Sequence, residues 1–161
     1  MALALAEAGA DLILVGRDRP ALEATGADVE RRGRSAALIQ ADVSQPLEAE
    51  RACRTALEQH GPVHILINNV GGRRIDVATE DLDLEQWQEI VDLNLTSTFI
   101  CTKLIGGAMV RRGQGGRVIN IASVSGLHRD PRNRWTELRD GQGRRHPLHA
   151  CGRRRLGTPI A

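Results

Sequence analysis

Val63-His64-Ile65-Leu66-Ile67-Asn68-Asn69-Val70-Gly71-Gly72 is a short apolar, β-branched run that stops abruptly at two amides and two glycines. The run is too short for a helix and reads as a strand buried on both faces, as in a parallel sheet. Its amides then stand at the C-terminal end of the strand, the side on which open α/β sheets bind ligands. Asparagine side chains satisfy backbone groups there, and glycines let a flat ligand approach the main chain. A strand followed by an ordinary Asn-Gly-type turn accounts for the same residues, so the decision rests on the remainder of the chain.

Upstream, Asp11-Leu12-Ile13-Leu14-Val15-Gly16 reads as another buried strand and Ala36 to Gln40 as a third. Ala2 to Ala8 is an alanine-rich helical piece ended by Gly9, with no capping residue in front of it. Pro20 is placed to open a helix that carries Leu22 and Val29 inward and ends at Gly33. Ser44 is expected to cap the next helix, with Pro46 in its first turn and Ala49, Ala52, Cys53, Ala56 and Leu57 at helical spacing. Gly61-Pro62 stops that helix. Downstream, a polar stretch leads into a long helix from about Leu84 to Arg112, and Arg117 to Ala122 is a strand entering Ser123-Val124-Ser125-Gly126. Strands separated by helices predict right-handed βαβ units and a doubly wound α/β domain.

Composition narrows the class. The chain of 161 residues has no Tyr, one Phe (Phe99) and two Trp (Trp87, Trp135), so its core must be built from Leu, Ile, Val and Ala. Met1-Ala-Leu-Ala-Leu-Ala-Glu7 lacks a basic region and meets an acid at once, which is not the pattern of a signal peptide. No apolar run approaches the length of a membrane span, and no membrane partner is expected. Cys53, Cys101 and Cys151 form no metal-type pair and suit a reducing cytoplasm. The net charge of +2 divides unevenly: residues 1–127 carry 13 basic against 17 acidic side chains, and residues 128–161 carry 9 against 3. The two parts are therefore read separately.

Four motifs of residues 2–127 are similar, in order and spacing, to those of the short-chain dehydrogenase/reductase family. Asn68-Asn69-Val70-Gly71 resembles the family's Asn-Asn-Ala-Gly, and Asp42-Val43 its adenine-contacting pair. Asn94, in Asp92-Leu93-Asn94-Leu95-Thr96, resembles the helix asparagine of its catalytic tetrad. Asn120-Ile121-Ala122-Ser123-Val124-Ser125-Gly126 resembles the strand that delivers its catalytic serine, which points to Ser123 with Ser125 as the nearby alternative. The resemblance implies a Rossmann-like fold, NAD(P) as cofactor, and hydride transfer between a carbonyl and a secondary alcohol on a small-molecule substrate. It implies that Ser123 binds the reacting oxygen, that Asn94 supports the proton relay, and that Arg17, Asp42, Val43, Asn69 and Gly71 line the cofactor. Arg17 stands where the adenosine ribose is read. A guanidinium there suits the 2′-phosphate of NADP, whereas Asp18 beside it would suit the 2′-hydroxyl of NAD. The segments around Gly71 and Ser123 resemble sugar-acid and polyol members, and the intact relative is expected to be a homo-oligomer.

Two family parts have no match. The glycine-rich Thr-Gly-x-x-x-Gly-x-Gly turn and the strand before it would precede Ala2, and in the family order 3-2-1-4-5-6-7 that strand lies between those at Leu12 and Ile65. The sheet is therefore expected to be incomplete, lacking its first and its C-terminal strands. The Tyr-x-x-x-Lys pair is also absent, since the chain has no tyrosine and Lys103 is its only lysine.

Residues 128–161 resemble nothing in the family and carry no apolar period, so disorder is one expectation for them. His146, His149 and Cys151 are too few, without a framework, to predict a metal site. Arg153-Arg154-Arg155 reads as a solvated tail, with no nucleic acid expected. A further reading is a shifted frame. Thr136 to His149 permits codons that, read one nucleotide later, give Pro-Ser-Tyr-Glu-Thr-Ala-Lys-Ala-Ala-Val-Ile-His-Phe, with the tyrosine at the place of Leu138 and the lysine at that of Gln142. The chain as written is then expected to be inactive. The competing reading is a catalytically dead nucleotide-binding or interaction module with a basic tail.

Overall fold

The structure is a computed structural model and describes residues 1–72, 77 and 79–123. Expectations for Ser125 and for the tail lie outside the described residues.

The elements follow the alternation read from the sequence. Helix α1 (Ala2–Glu7) precedes strand β1 (Leu12–Gly16), and α2 (Arg19–Glu30) leads to β2 (Ala36–Gln40). Helix α3 (Pro46–Gln59) leads to β3 (Ile65–Asn68), and the long helix α4 (Leu84–Arg112) to β4 (Arg117–Asn120). Pro20 sits in the first turn of α2, where its missing N–H costs nothing, and the Asp18 carboxylate caps that helix by accepting the Ala21 N–H at 3.0 Å. Asp83 and Gln86 form a reciprocal capping box at the start of α4.

The sheet is split. Strands β1 and β2 pair in parallel with Leu12 opposite Ala36, and β3 and β4 pair in parallel with Ile65 opposite Arg117. Among the described residues no ladder joins the two pairs, so β1 and β3 each keep one edge without a strand partner. One core nevertheless serves both halves. Ile39 and Ala41 meet Ala52, Cys53 and Ala56 of α3 and Ile105 and Met109 of α4, with Ile13, Leu66 and Val118 packed against them.

Three expectations are corrected. The strands are not buried on both faces: Ile65 and Ile119 are 47% and 44% exposed, because α3 and α4 pack against only one side of that half-sheet among the described residues. Ser44 does not cap α3, since Pro46 fixes the helix start so that Gln45 takes the capping position. The Ser44 hydroxyl and N–H instead donate to Asp42 Oδ1, at 2.7 and 3.0 Å. Finally, α4 is long and apolar enough to cross a membrane by length and composition, although no such stretch was expected. Its Leu93, Ile100, Ile105 and Met109 are buried in the protein, and a core helix passes the same test.

Candidate functional site

The singled-out residues gather where the strands end. Arg17 follows β1, Asp42 and Val43 follow β2, Asn69 to Gly72 follow β3, and Ser123 lies three places beyond the end of β4. In a parallel pair both C-terminal ends point the same way, so each half-sheet presents its motifs along one rim. A cleft lined by Asp42, Ser44 and Gln45 on one side and by Glu89, Ile90 and Asp92 on the other connects the exit of β2 with α4.

On the first rim, the Arg17 guanidinium stands 3.8 Å from the Asp42 carboxylate, with the Arg17 side chain 61% exposed. The Gln40 side chain donates to the Arg17 carbonyl at 3.1 Å, fixing the backbone from which that guanidinium projects. The Asp42 N–H is held by Glu48 Oε2 at 2.8 Å, so the turn after β2 is tied to the first turn of α3. Asp18, the other group weighed for the ribose position, is exposed and caps α2 through Oδ1.

On the second rim, Asn94 acts as a clamp. Its Oδ1 accepts the Gly72 N–H at 2.9 Å, and its Nδ2 donates to the Gly72 carbonyl at 2.9 Å and to the Ile90 carbonyl at 2.8 Å. Gly72 has φ +139°, and a Cβ on Gly71 would come within 3.1 Å of Asn94 Oδ1. The glycines are thus required by the close approach of the loop to α4 as well as by a backbone that side chains rarely adopt. Asn94 lies in a π-helical turn, Asp92–Thr96, and a second one follows at Thr102–Gly106. Such insertions turn polar groups out of the regular ladder and recur at functional sites. The amide that the resemblance assigns to a proton relay is, in this chain, first a brace for the loop after β3.

Asn68 does not serve backbone groups as expected. Its Nδ2 donates to Asn120 Oδ1 at 2.7 Å and to Thr102 Oγ1 at 3.1 Å, joining β3, β4 and α4. Sequence reasoning passed over Thr102. The signal was present in Asn94, Thr98 and Thr102, spaced four apart along one face of the helix. Asn69 and Ser123 are exposed, and Val43 is half-buried. The structure brings together Arg17 with Asp42, Asn94 with Gly71 and Gly72, and Asn68 with Asn120.

The strand ends thus present an exposed cation beside an acid beyond β2, and an exposed loop at Val70 to Gly72. Comparison with known proteins bears on the family and the fold. The family model described as short chain dehydrogenase matches residues 1–135. The chain is 35% identical over 131 residues to a 3-oxoacyl-[acyl-carrier-protein] reductase of Synechocystis sp., covering 81% of this chain and 52% of that one. It is 40% identical over 124 residues to a 2-dehydro-3-deoxy-D-gluconate 5-dehydrogenase of Bacillus subtilis, covering 77% and 47%. A crystal structure of a short-chain type dehydrogenase/reductase from Mycobacterium marinum superposes with a TM-score of 0.73 at 33% identity, covering 81% and 52%. The chain thus spans about half the length of these relatives.

Proposed function

The chain belongs to the short-chain dehydrogenase family, and on that premise we propose that it supplies the NADP(H)-facing half of an oxidoreductase acting on a carbonyl or secondary alcohol. When bound, the cofactor supplies or accepts the hydride. In this reading Arg17 holds the 2′-phosphate, Asp42 and Val43 meet the adenine, and Asn69 and Gly71 line the cofactor. Ser123 binds the reacting oxygen, and Asn94 keeps the loop after β3 in place. A polyol or sugar acid is the proposed substrate class. The identity to the gluconate dehydrogenase supports it, as do the segments around Gly71 and Ser123. Leu95 and Phe99, exposed on α4, support a homo-oligomeric intact protein.

The observation that carries the choice of NADP(H) is the division of labour between neighbours. Asp18 Oδ1 accepts the Ala21 N–H at the start of α2, whereas the Arg17 guanidinium projects, 61% exposed, beside Asp42. Its ion pair with Asp42 is loose and partly solvated, a contact worth at most about 1 kcal/mol. A phosphate dianion forms a stronger charge-assisted bond with a guanidinium and displaces that pairing.

The test uses the two adenosine halves of the cofactors as probes. Adenosine 2′,5′-bisphosphate should bind more tightly than adenosine 5′-monophosphate, by roughly 10- to 100-fold for about 1.5–3 kcal/mol of charged hydrogen bonding. Arg17→Asp should abolish or invert that preference. Equal affinities in the parent chain, or a preference untouched by the substitution, would make Arg17 a mere surface residue and remove the argument for NADP(H).

A further inference from the structure

At the end of the β3–β4 pair opposite the motif rim, a cleft of about 270 Å³ opens between the C-terminal parts of α3 and α4 and the turn that enters β3. Leu57, Pro62, Val63, Ala108 and Met109 give it apolar walls, and Arg112 places a guanidinium on its lining. Ala108 and Arg112 stand one helical turn apart on α4, so the small side chain leaves space beside the large one. Met109 is held firmly in place: it is 1% exposed, and a Cβ on Gly116 would meet its sulfur at 2.5 Å. Nothing in the hydride-transfer reading uses any of these residues.

The guanidinium is short of partners. Its Nη1 donates to the Val63 carbonyl and its Nη2 to the Gly115 carbonyl, each at 3.2 Å, which ties both strand entries to the end of α4. Both acceptors are neutral. Among the described residues no carboxylate pairs with Arg112, and its Nε is buried without an acceptor. A buried donor without an acceptor is costly, and more so on a charged group. The adjoining sequence offers little anion to meet it. Residues 57–64 and 108–117 hold Arg111, Arg112, Arg117, His60 and His64 against the single acid Glu58. Since residues 1–127 as a whole are acidic, the cleft lies in a local positive region.

We propose that this cleft is a binding site for a short aliphatic carboxylate, whose charged end pairs with Arg112 and whose chain lies along Leu57, Val63 and Ala108.

Charge and volume both select this class. A carboxylate accepts from a guanidinium with charge assistance, and its two oxygens can be served by the N–H groups that the carbonyls leave over. At about 30 Å³ per water, the cleft has the volume of roughly nine waters, which suits a ligand of about eight heavy atoms such as hexanoate. Inorganic phosphate fits worse, because its remaining oxygens would face apolar walls unpaired. An alcohol of the same length leaves the cation without a counter-charge. Since Arg112 already holds the entries to β3 and β4, a ligand that fixes its guanidinium also reinforces that half-sheet.

The test is saturable binding of radiolabelled hexanoate to the full chain by equilibrium dialysis, with unlabelled hexanoate, acetate, 1-hexanol and inorganic phosphate as competitors. Unlabelled hexanoate should compete at least about tenfold better than the other three, each of which lacks the carboxylate or the chain. Arg112→Gln should weaken hexanoate by at least about tenfold and bring it level with 1-hexanol. Because Arg112 also holds two carbonyls, a second variant leaves it in place. Ala108→Leu fills the cleft from α4, and it should weaken hexanoate by a similar factor while the far-UV circular dichroism stays that of the parent. Acetate or phosphate competing as well as hexanoate would reduce the site to a surface ion pair, and 1-hexanol doing so would reduce it to an apolar surface. Either result overturns the proposal, as does the absence of saturable binding or an Ala108→Leu chain that binds hexanoate like the parent.

Discussion

No NADP(H)-dependent oxidation of polyols or sugar acids above background is expected from the 161-residue chain as written. A positioned acid/base group is worth about 10²–10⁴ in rate, and the family's is a tyrosine assisted by a lysine. This chain has no tyrosine. Its one lysine cannot deputise, because Lys103 is exposed and its ammonium lies 5.8 Å from the centroid of the Phe99 ring on the solvent side of α4. Thr102, one residue earlier and about 100° round the helix, is the one that faces Asn68. The shifted reading of residues 136–149 makes the comparison decisive. A version carrying Tyr-x-x-x-Lys from that reading, with a glycine-turn strand placed before Ala2, should exceed the chain as written by at least about 100-fold in kcat/KM. Clear turnover by the chain as written would refute the reading, and so would a restored version no better than it. The second result would favour a nucleotide-binding or interaction module without catalysis.

The elements and their order were legible because glycine and proline punctuate the chain between apolar runs. Gly9, Pro20, Gly33, Pro46, Gly61-Pro62 and Gly113 fall at or beside helix ends, and β1 to β4 fall where the β-branched runs stand. These are local effects, set by backbone freedom and by the period of the side chains. What was misread depends on partners. Whether Ile65 is buried is decided by what covers it, and the strand's own residues cannot say. Ser44 obeyed its propensity as a capping residue but lost the position to the register that Pro46 imposes, and turned back to Asp42. The site was legible as residues but not as roles. Asn94 was singled out, yet its three bonds to Gly72 and Ile90 depend on a π-helical turn whose extra residue no composition announces. Asp18 was weighed as a ribose ligand, and its bond to the Ala21 N–H shows a capping role that the ribose argument did not consider.

The split sheet leads to the other large effect, on folding. A broad, shallow thermal transition is expected from these 161 residues produced alone, with strong helical far-UV signal and loosely held side chains. Parallel sheets are ordinarily buried and many-stranded, whereas here two pairs stand without a ladder between them. The outer N–H and C=O groups of β1 and β3 find no strand partner among the described residues, and each such group costs about 1–3 kcal/mol when it is buried from water. A few of these costs rival the roughly 5–15 kcal/mol that holds an ordinary domain together. What opposes them is the shared core of Ile39, Ala52, Cys53, Ala56, Ile105 and Met109, which ties both half-sheets to α3 and α4. The helices should therefore persist while the strands loosen. The family order places one parallel strand between β1 and β3, so an apolar strand supplied there, fused ahead of Ala2 with a glycine-rich turn, should sharpen the transition. It should also protect the amides of β1 and β3 from hydrogen exchange before those of β2 and β4 change. A sharp, reversible melt from a monomer of the sequence as given would refute the expectation. It would mean that β1 and β3 satisfy their free edges by a pairing other than the one the family order provides.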